Sequence, residues 1–293
     1  MNSEKTTNEM VLEREIASAR VRKPQGVGVW IADAALVLCA LLWGLGFVVM
    51  KNALAVYPTW WVLFFRFSGG TLLVGACFFK SIVRLTREDL RGGAVIGVFL
   101  FLAMGSQSLG LNYTTAGKQA FLTAGYVIMV PLVVWGLRRI FPGWLSIVSS
   151  LVCFAGMGLL TSDTSEPLNI GDVLTIVCAL FYAAQIIAIG HYSAKGNPMA
   201  LTFVQMLVTA ALSFCSAMLF NGPPLWKGSE GVLEIFYSTF FSTFLCYLIQ
   251  NVAQKHTSAT HASILLGLES VFGVLSGVVF LNEIFTLQMF AGC

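Results

Sequence analysis

The sequence predicts an all-α polytopic membrane protein whose ten helices form two five-helix repeats of inverted topology (5+5), with the tenth helix truncated. Three observations predict this fold class. Only 11% of the 293 residues are charged and 57% are hydrophobic, whereas soluble proteins carry about 25% charged residues. Nine segments are apolar over the length of a membrane helix, and the two halves of the chain resemble each other.

The nine apolar segments meet the requirement of about 20 mostly apolar residues for a membrane-spanning helix. They are 28–50, 59–79, 92–112, 115–137, 143–161, 171–190, 198–220, 232–252 and 260–281. A tenth begins at Phe285 but has only nine residues before Cys293, so we expect an incomplete last helix. Residues 1–26 are polar, and no short apolar stretch among them predicts a cleaved signal peptide.

Lysine and arginine indicate the orientation in the bilayer. With a cytoplasmic N-terminus, 13 of the 17 basic residues fall in cytoplasmic segments and three in outer segments, while Arg66 lies within a span. This asymmetry predicts that residues 1–26 are a cytoplasmic tail. The expected location is the plasma (bacterial inner) membrane. Because the basic residues follow the topology rule, the lipid bilayer is an expected partner and nucleic acid is not.

The two halves of the chain align without a change of order. Three segments of the first half match three of the second: "DAALVLCALLWG" (33–44) over "DVLTIVCALFYA" (172–183), "FFRF" (64–67) over "FVQM" (203–206), and "YTTAGKQAFL" (113–122) over "HTSATHASIL" (256–265). The first two matches share one register, and the third is slightly displaced from it. This order predicts an internal repeat.

The repeat predicts how the chain is organised. We expect a first five-helix repeat over 27–161, a linker over 162–170 and a second repeat over 171–293, whose last helix is incomplete. Because five spans is an odd number, the second repeat enters the membrane from the opposite side. Inverted repeats of this kind are typical of secondary transporters, which bind substrate near the bilayer midplane between the repeats.

Four segments together resemble a known family: "LLWGLGFVVMKNAL" (41–54), "FFRFSGGTLL" (64–73), "GLNYTTAGKQAFLTAGYVIMVPL" (110–132) and "LESVFGVLSGVVFLNE" (268–283). In this order and spacing they resemble the EamA-type transporters of the drug/metabolite transporter superfamily. The sequence departs from the family at Ser270, where proline is usual, and in its incomplete tenth span.

The resemblance implies a ten-helix transporter with both termini in the cytoplasm and a central cavity lined by helices 1–4 and 6–9. It implies a small-molecule substrate and no cofactor, since members move small organic solutes and often export amino acids or related metabolites. The expected function is therefore secondary active transport of amphiphilic solutes by alternating access. Two alternatives stay open, an integral-membrane enzyme and a passive channel without coupled transport.

Glu269 is a carboxylate near the middle of the ninth span. A charge at this depth is costly unless it faces a cavity or a partner, and such residues are usually functional. One interpretation is a contact with a substrate amine or a site of proton coupling. The other is a carboxyl group that hydrogen-bonds to a neighbouring helix and only fixes packing.

Arg66 is the second deep charge, eight residues into the second span, and its guanidinium stays ionised at any relevant pH. Three hypotheses stay open. It pairs with Glu269 across the repeat interface, it captures a substrate carboxylate, or it reaches towards the outer interface or caps helix carbonyls.

Two further polar residues are weaker candidates for gating or titration. Lys118 begins the fourth span, where we expect its side chain to reach the outer interface. His261 is its repeat counterpart near the inner face, and it either titrates or forms an interfacial hydrogen bond. Asp33 and Asp172 occupy matching places early in spans one and six, and they are expected to be helix caps or interfacial residues, as is Glu283 after the ninth span.

Aromatic and amide side chains within the spans suggest a pathway. The candidates are Trp43 and Tyr182, which are repeat equivalents; Tyr126, which lies over Glu269; and the amides Gln107, Gln119 and Gln205. An aromatic cavity with a few polar groups suits a small amphiphilic solute. Each of these residues alone is also compatible with simple packing.

Overall fold

The computed structural model describes residues 27–114, 116–139, 141–161, 169–224, 228–281 and 287–293. Within these ranges the chain forms helices and no β-strand. The predicted all-α class is confirmed. Glu283 lies outside the described residues.

The first half contains seven helices: α1 (Val27–Val56), α2 (Thr59–Cys77), α3 (Phe79–Ile82), α4 (Arg87–Leu111), α5 (Ala116–Thr123), α6 (Tyr126–Arg138) and α7 (Trp144–Thr161). The second half contains α8 (Ile170–Tyr192), α9 (Pro198–Phe220), α10 (Val232–Tyr237), a π-helical segment (Ser238–Leu245), α11 (Cys246–Ala253), α12 (Ala259–Gly267), α13 (Glu269–Leu281) and α14 (Leu287–Gly292).

Eight stretches of the described chain are long and apolar enough to cross a membrane. Five are single helices: α1, α2, α4, α8 and α9. The other three consist of consecutive helices: α5 with α6, α10 through the π-helical segment to α11, and α12 with α13. The predicted fifth span corresponds to α7, whose apolar part is the shorter helix Trp144–Gly156. The protein is therefore an integral, polytopic membrane protein.

The starts of α4 and α8 are fixed by reciprocal hydrogen bonds. Thr86 and Asp89 form a capping box at α4, and Asn169 and Asp172 form one at α8. Because this cap recruits a polar first turn, α4 begins five residues before the apolar segment that hydropathy predicts. The interpretation of Asp172 as a cap is confirmed. Asp33 is not a cap, because α1 already begins at Val27.

The predicted fourth and ninth spans are each interrupted near the middle. The backbone hydrogen bonds tighten there: the Gly125 N–H donates to Leu122 O at 3.1 Å, and the Leu268 N–H donates to Leu265 O at 3.3 Å. The register that lays 113–122 over 256–265 also places position 125 over position 268. The two interruptions are thus repeat counterparts, and Tyr126 and Glu269 begin the helices that follow them.

The two halves interlock through their most extensive helix contacts. Helix α4 packs against α8 and α9, α2 against α9, and α1 against α13. Glycines permit the closest approach: a Cβ added to Gly93 would lie 2.5 Å from the Cβ of Val204, and one added to Gly97 would lie 2.7 Å from Gln205 O. Because so much of each half is buried against the other, the interface between them is the centre of the molecule.

The outer faces of the helices carry large exposed apolar side chains. Trp30, Leu72, Trp144 and Leu145 are each at least 74% exposed, as suits contact with lipid. Helix α14 packs against α7, so the last described helix lies beside the fifth predicted span.

Candidate functional site

A cavity lies at the interface between the two halves, lined by residues from both. Seven of the eight residues predicted for a pathway line it: Trp43, Arg66, Gln107, Gln119, Tyr126, Tyr182 and Glu269. The space open to the centre of a water-sized sphere is about 50 Å³. A single water molecule occupies about 10–15 Å³, so the cavity has room for several waters.

Glu269 lies at the first position of α13 and is 6% exposed. The Tyr126 hydroxyl donates to its Oε1 at 3.1 Å. A carboxylate at a helix N-terminus is also favoured by the free N–H groups and the helix dipole there. Helix α1 passes so close that a Cβ added to Gly44 would lie 2.7 Å from the Glu269 carbonyl oxygen. The backbone of Glu269 is therefore packed closely against α1, while its side chain lines the cavity and accepts one hydrogen bond.

Tyr126 and Glu269 are repeat counterparts, and they touch each other. In the predicted repeat, counterparts that touch each other lie next to the axis that would relate the two copies. The Tyr126–Glu269 contact joins the first half of the chain to the second. The hydrogen bond agrees with the packing interpretation of Glu269, while its position in the cavity wall agrees with the functional one.

Arg66 is 3% exposed and bound by hydroxyl groups rather than by a carboxylate. Its Nε donates to Thr243 Oγ1 at 2.8 Å and its Nη2 to Ser242 Oγ at 3.1 Å. The guanidinium carbon lies 5.2 Å from the centre of the Phe67 ring. Guanidinium has five N–H donors, so these contacts leave hydrogen-bonding capacity at the cavity wall.

The predicted ion pair between Arg66 and Glu269 is wrong for this conformation. The ion pairs of the described residues are Lys118–Asp172 and His261–Asp33, and Arg66 forms none with them. The interfacial interpretation is also wrong, because the side chain is buried and donates to hydroxyls, not to helix-end carbonyls. Capture of a substrate carboxylate by Arg66 stays a prediction.

The π-helical segment explains where the two hydroxyls come from. A π-turn inserts an extra residue into the helical turn and changes which side chains face a neighbouring helix. Ser242 and Thr243 both lie in this segment and contact Arg66. The Ser242 carbonyl also accepts a hydrogen bond from Trp43 Nε1 at 2.8 Å. The segment thereby connects the aromatic wall of the cavity to its cation.

Aromatic and amide side chains form the rest of the wall. The Tyr182 hydroxyl donates to Gln107 Oε1 at 3.2 Å, and Gln119 Nε2 donates to the Gln107 carbonyl at 2.5 Å. Gln119 Oε1 has no hydrogen-bond partner among the described residues. The Tyr126 and Tyr182 rings meet edge to face, with centroids 6.3 Å apart. The predicted aromatic and amide cluster is thus brought together, with one acceptor left open.

Gln205 is the predicted pathway residue that does not line the cavity. It is completely buried in α9, and neither atom of its amide has a hydrogen-bond partner among the described residues. Its backbone instead contacts Gly97 of α4. Although it aligns with Arg66 in the repeat, Gln205 lies within a packed helix interface.

Sequence reasoning missed several polar residues of the cavity wall. Gln185 and Gln250 line it and hydrogen-bond to each other at 3.4 Å. Both are intramembrane amides, the same signal that identified Gln107. Tyr247 also lines the cavity and lies beside Trp43, with ring centroids 5.3 Å apart. Ser242 carries no comparable sequence signal.

Lys118 and His261 lie away from the cavity wall, and each pairs with an aspartate of the other half. Lys118 Nζ lies 2.6 Å from Asp172 Oδ2. The aspartate binds the Lys118 ammonium, and the Lys118 side chain is only 10% exposed; its expected position near the outer interface stays a prediction. His261 Nε2 lies 3.1 Å from Asp33 Oδ1, with a side chain that is 49% exposed. Asp33 Oδ1 has no hydrogen-bond partner among the described residues, so this is a close contact without hydrogen-bond geometry.

Both halves of the chain match a family of known proteins. Residues 30–162 and 169–293 each match the model of the EamA-like transporter family. A protein from Archaeoglobus fulgidus described as an uncharacterized transporter is 33% identical over 92% of this chain and 84% of its own length. A chloroplastic WAT1-related protein from Arabidopsis thaliana is 24% identical over 91% of this chain and 68% of its own.

A solved crystal structure shares the fold at 16% identity, with a TM-score of 0.74 over 89% of this chain and 92% of that one. The family match covers both halves of the chain and almost every residue of the cavity wall. The chain belongs to the EamA-like transporter family.

Proposed function

We propose that this chain is a secondary active transporter that exports small organic solutes, such as amino acids or related amphiphilic metabolites, across the plasma (bacterial inner) membrane. It works by alternating access between two inverted repeats, with the N-terminus in the cytoplasm. One observation carries the proposal: a cavity between the halves presents Arg66 and Glu269 in the same wall, and the two charges are not paired with each other.

The unpaired cation suggests an anionic group on the solute. The buried Arg66 has hydroxyl partners and spare N–H groups but no carboxylate partner among the described residues. Arginine binds carboxylates in a bidentate geometry that lysine does not reproduce. A solute carboxylate at Arg66 would neutralise a cation that the described residues leave uncompensated.

The opposite part of the wall suits an ammonium group or a proton. Glu269 accepts a hydrogen bond from Tyr126, and Gln119 Oε1 is an open acceptor. An ammonium group carries three donors, which these oxygens could accept. In the absence of a solute amine, Glu269 is the group that would take up a proton, so proton coupling is part of the proposal.

Apolar side chains in the cavity wall favour a solute with an apolar body. Phe47, Met50, Met104, Leu111 and Leu266 line the cavity together with the aromatic residues. Apolar walls with few, well-placed polar groups bind the body of a solute without specific hydrogen bonds. The proposed solute therefore has two charged ends or one charged end, and an apolar body.

Counterflow in proteoliposomes tests this function. The protein is reconstituted, the vesicles are loaded with an unlabelled solute, and entry of the labelled solute is followed for a panel of amino acids and their uncharged derivatives. We expect saturable exchange for apolar amino acids. A passive channel would give flux that neither saturates nor shows counterflow, and absence of exchange for every solute would oppose the proposal.

A further inference from the structure

The two ion pairs of the described chain join its halves at repeat-equivalent positions. Lys118 pairs with Asp172, and His261 pairs with Asp33. The match of 33–44 with 172–183 relates the two aspartates, and the match of 113–122 with 256–265 relates Lys118 to His261. Each pair thus joins one residue of the first half to one of the second, and each is the other's counterpart.

The pairs belong to opposite ends of the helix bundle. Asp33 lies ten residues before Trp43 on α1, and Asp172 lies ten residues before Tyr182 on α8. At 1.5 Å per residue this is roughly 15 Å from the aromatic wall of the cavity in each case. Five crossings of the chain separate the start of α1 from the start of α8, so the two helices enter the bundle from opposite ends. The cavity consequently lies between the two pairs.

We propose that Lys118–Asp172 and His261–Asp33 are the two gates of the cavity, and that one breaks while the other holds in each half of the transport cycle. This inference rests on the proposed alternating access. In this structure both pairs are in contact, with N···O distances of 2.6 and 3.1 Å, as expected of a state in which neither gate has opened.

The Lys118–Asp172 gate is the more tightly closed. Its two side chains are 10% and 0% exposed, and the Thr114 hydroxyl adds a hydrogen bond to Asp172 Oδ1 at 2.9 Å. Beside it the backbones nearly touch: a Cβ added to Gly171 would lie 2.7 Å from the Gly110 carbonyl oxygen. A charged pair this deeply enclosed opens only when the surrounding helices separate.

The His261–Asp33 gate is looser. Its side chains are 49% and 21% exposed, and histidine is charged only when protonated. The repeat counterparts of Gly171 and Gly110 are Ala32 and Ala253, which are both buried. Each carries a methyl group where the first gate has a glycine, so a backbone approach as close as that of the two glycines is not expected here. The cavity therefore opens more readily towards the Asp33 end, which is the cytoplasmic end in the predicted orientation.

Hydrogen–deuterium exchange of the full chain in lipid nanodiscs tests the two gates without any solute. Asp172→Asn breaks the first gate with almost no change of shape. We expect faster deuterium uptake at residues 116–123 and 169–175, together with slower uptake at residues 259–265 near the other gate. Asp33→Asn should give the mirror image, with faster uptake at 259–265 and slower uptake at 116–123.

Two further variants keep the test decisive. Lys118→Met breaks the first gate while leaving the Asp172 cap of α8 intact, so it should reproduce the pattern of Asp172→Asn. Asp89→Asn is the matched control, because Asp89 is also a buried capping carboxylate but binds Thr86 and the Asn197 N–H rather than a cation. It should change exchange only near α4.

Uptake that changes only around each substituted residue, with no opposite change at the far end, would overturn the gate assignment. So would a reciprocal pattern in Asp89→Asn. Since no solute is present, either result leaves the proposed transport function to be judged separately by counterflow.

Discussion

Replacing Arg66 by glutamine gives the sharpest test of how the cavity binds a solute. The repeat counterpart of Arg66 is Gln205, so glutamine already occupies the equivalent helix position in the second half. The change removes the cation but keeps a polar side chain that can still reach Ser242 or Thr243. We expect it to weaken only those solutes that carry a carboxylate.

The expected rise in KM follows from the N–H groups of Arg66 that its contacts to Thr243 and Ser242 do not use. Its contacts to Thr243 and Ser242 use Nε and Nη2, which leaves N–H groups for a solute carboxylate. A hydrogen bond to a charged group contributes about 1.5–3 kcal/mol, and a factor of ten corresponds to about 1.4 kcal/mol. Arg66→Gln should therefore raise the KM for an amino acid about 10-fold to 100-fold.

The assay compares an apolar amino acid with its α-amide in proteoliposome counterflow. The amide lacks the carboxylate, so Arg66→Gln should leave its much weaker exchange unchanged. Arg66→Lys is the matched control: it keeps the charge but loses the planar fork, and it should recover part of the discrimination. Equal losses for the acid and the amide would show that Arg66 supports the structure, and the substrate role would be refuted.

Three further outcomes are expected. Gly44→Ala places a Cβ 2.7 Å from Glu269 O and from Phe272 Cβ, so it should lower the free energy of unfolding by about 1–3 kcal/mol in a thermal or denaturant melt, whereas Gly46→Ala, whose nearest neighbour lies at 3.6 Å, should not. Glu269→Gln should abolish the pH dependence of transport; an unchanged rate and pH profile would reduce Glu269 to a packing role. Gln205→Met removes an amide without a described partner, so the melting temperature should be equal or higher and counterflow unchanged.

Hydropathy was sufficient to predict the fold class, because a span must be apolar over a fixed length whatever its neighbours are. It was insufficient for the interruptions at Gly125 and Leu268 and for the π-helical segment. These local changes of hydrogen bonding leave the hydropathy of the segment the same. The start of α4 was missed for a related reason, since polar capping residues lie outside the apolar window.

The cavity was predicted best where the type of residue alone carries the signal. Aromatic, amide and charged residues inside a span are rare enough to stand out, and seven of eight such candidates line the cavity. Partners were predicted poorly. The pairing of Arg66 with Glu269 failed and the pairing of Lys118 with Asp172 was missed, because a partner depends on which helix faces end up opposite each other. Asp172 and the hydroxyls of the π-helical segment could be assigned only once those faces were known.

The differences between the two halves explain why the cavity contains one arginine and one glutamate rather than two of each. A strictly symmetric pair of repeats would supply each charge twice, but Arg66 has Gln205 as its counterpart and Glu269 has Tyr126. Tyr126 and Glu269 contact each other, which places the carboxylate next to the axis of the predicted repeat. Under the proposed alternating access, a group at that axis is equally distant from both gates and meets whichever side is open. A carboxylate there serves a solute or a proton in both halves of the cycle, whereas Arg66, away from the axis, gives the solute one preferred orientation.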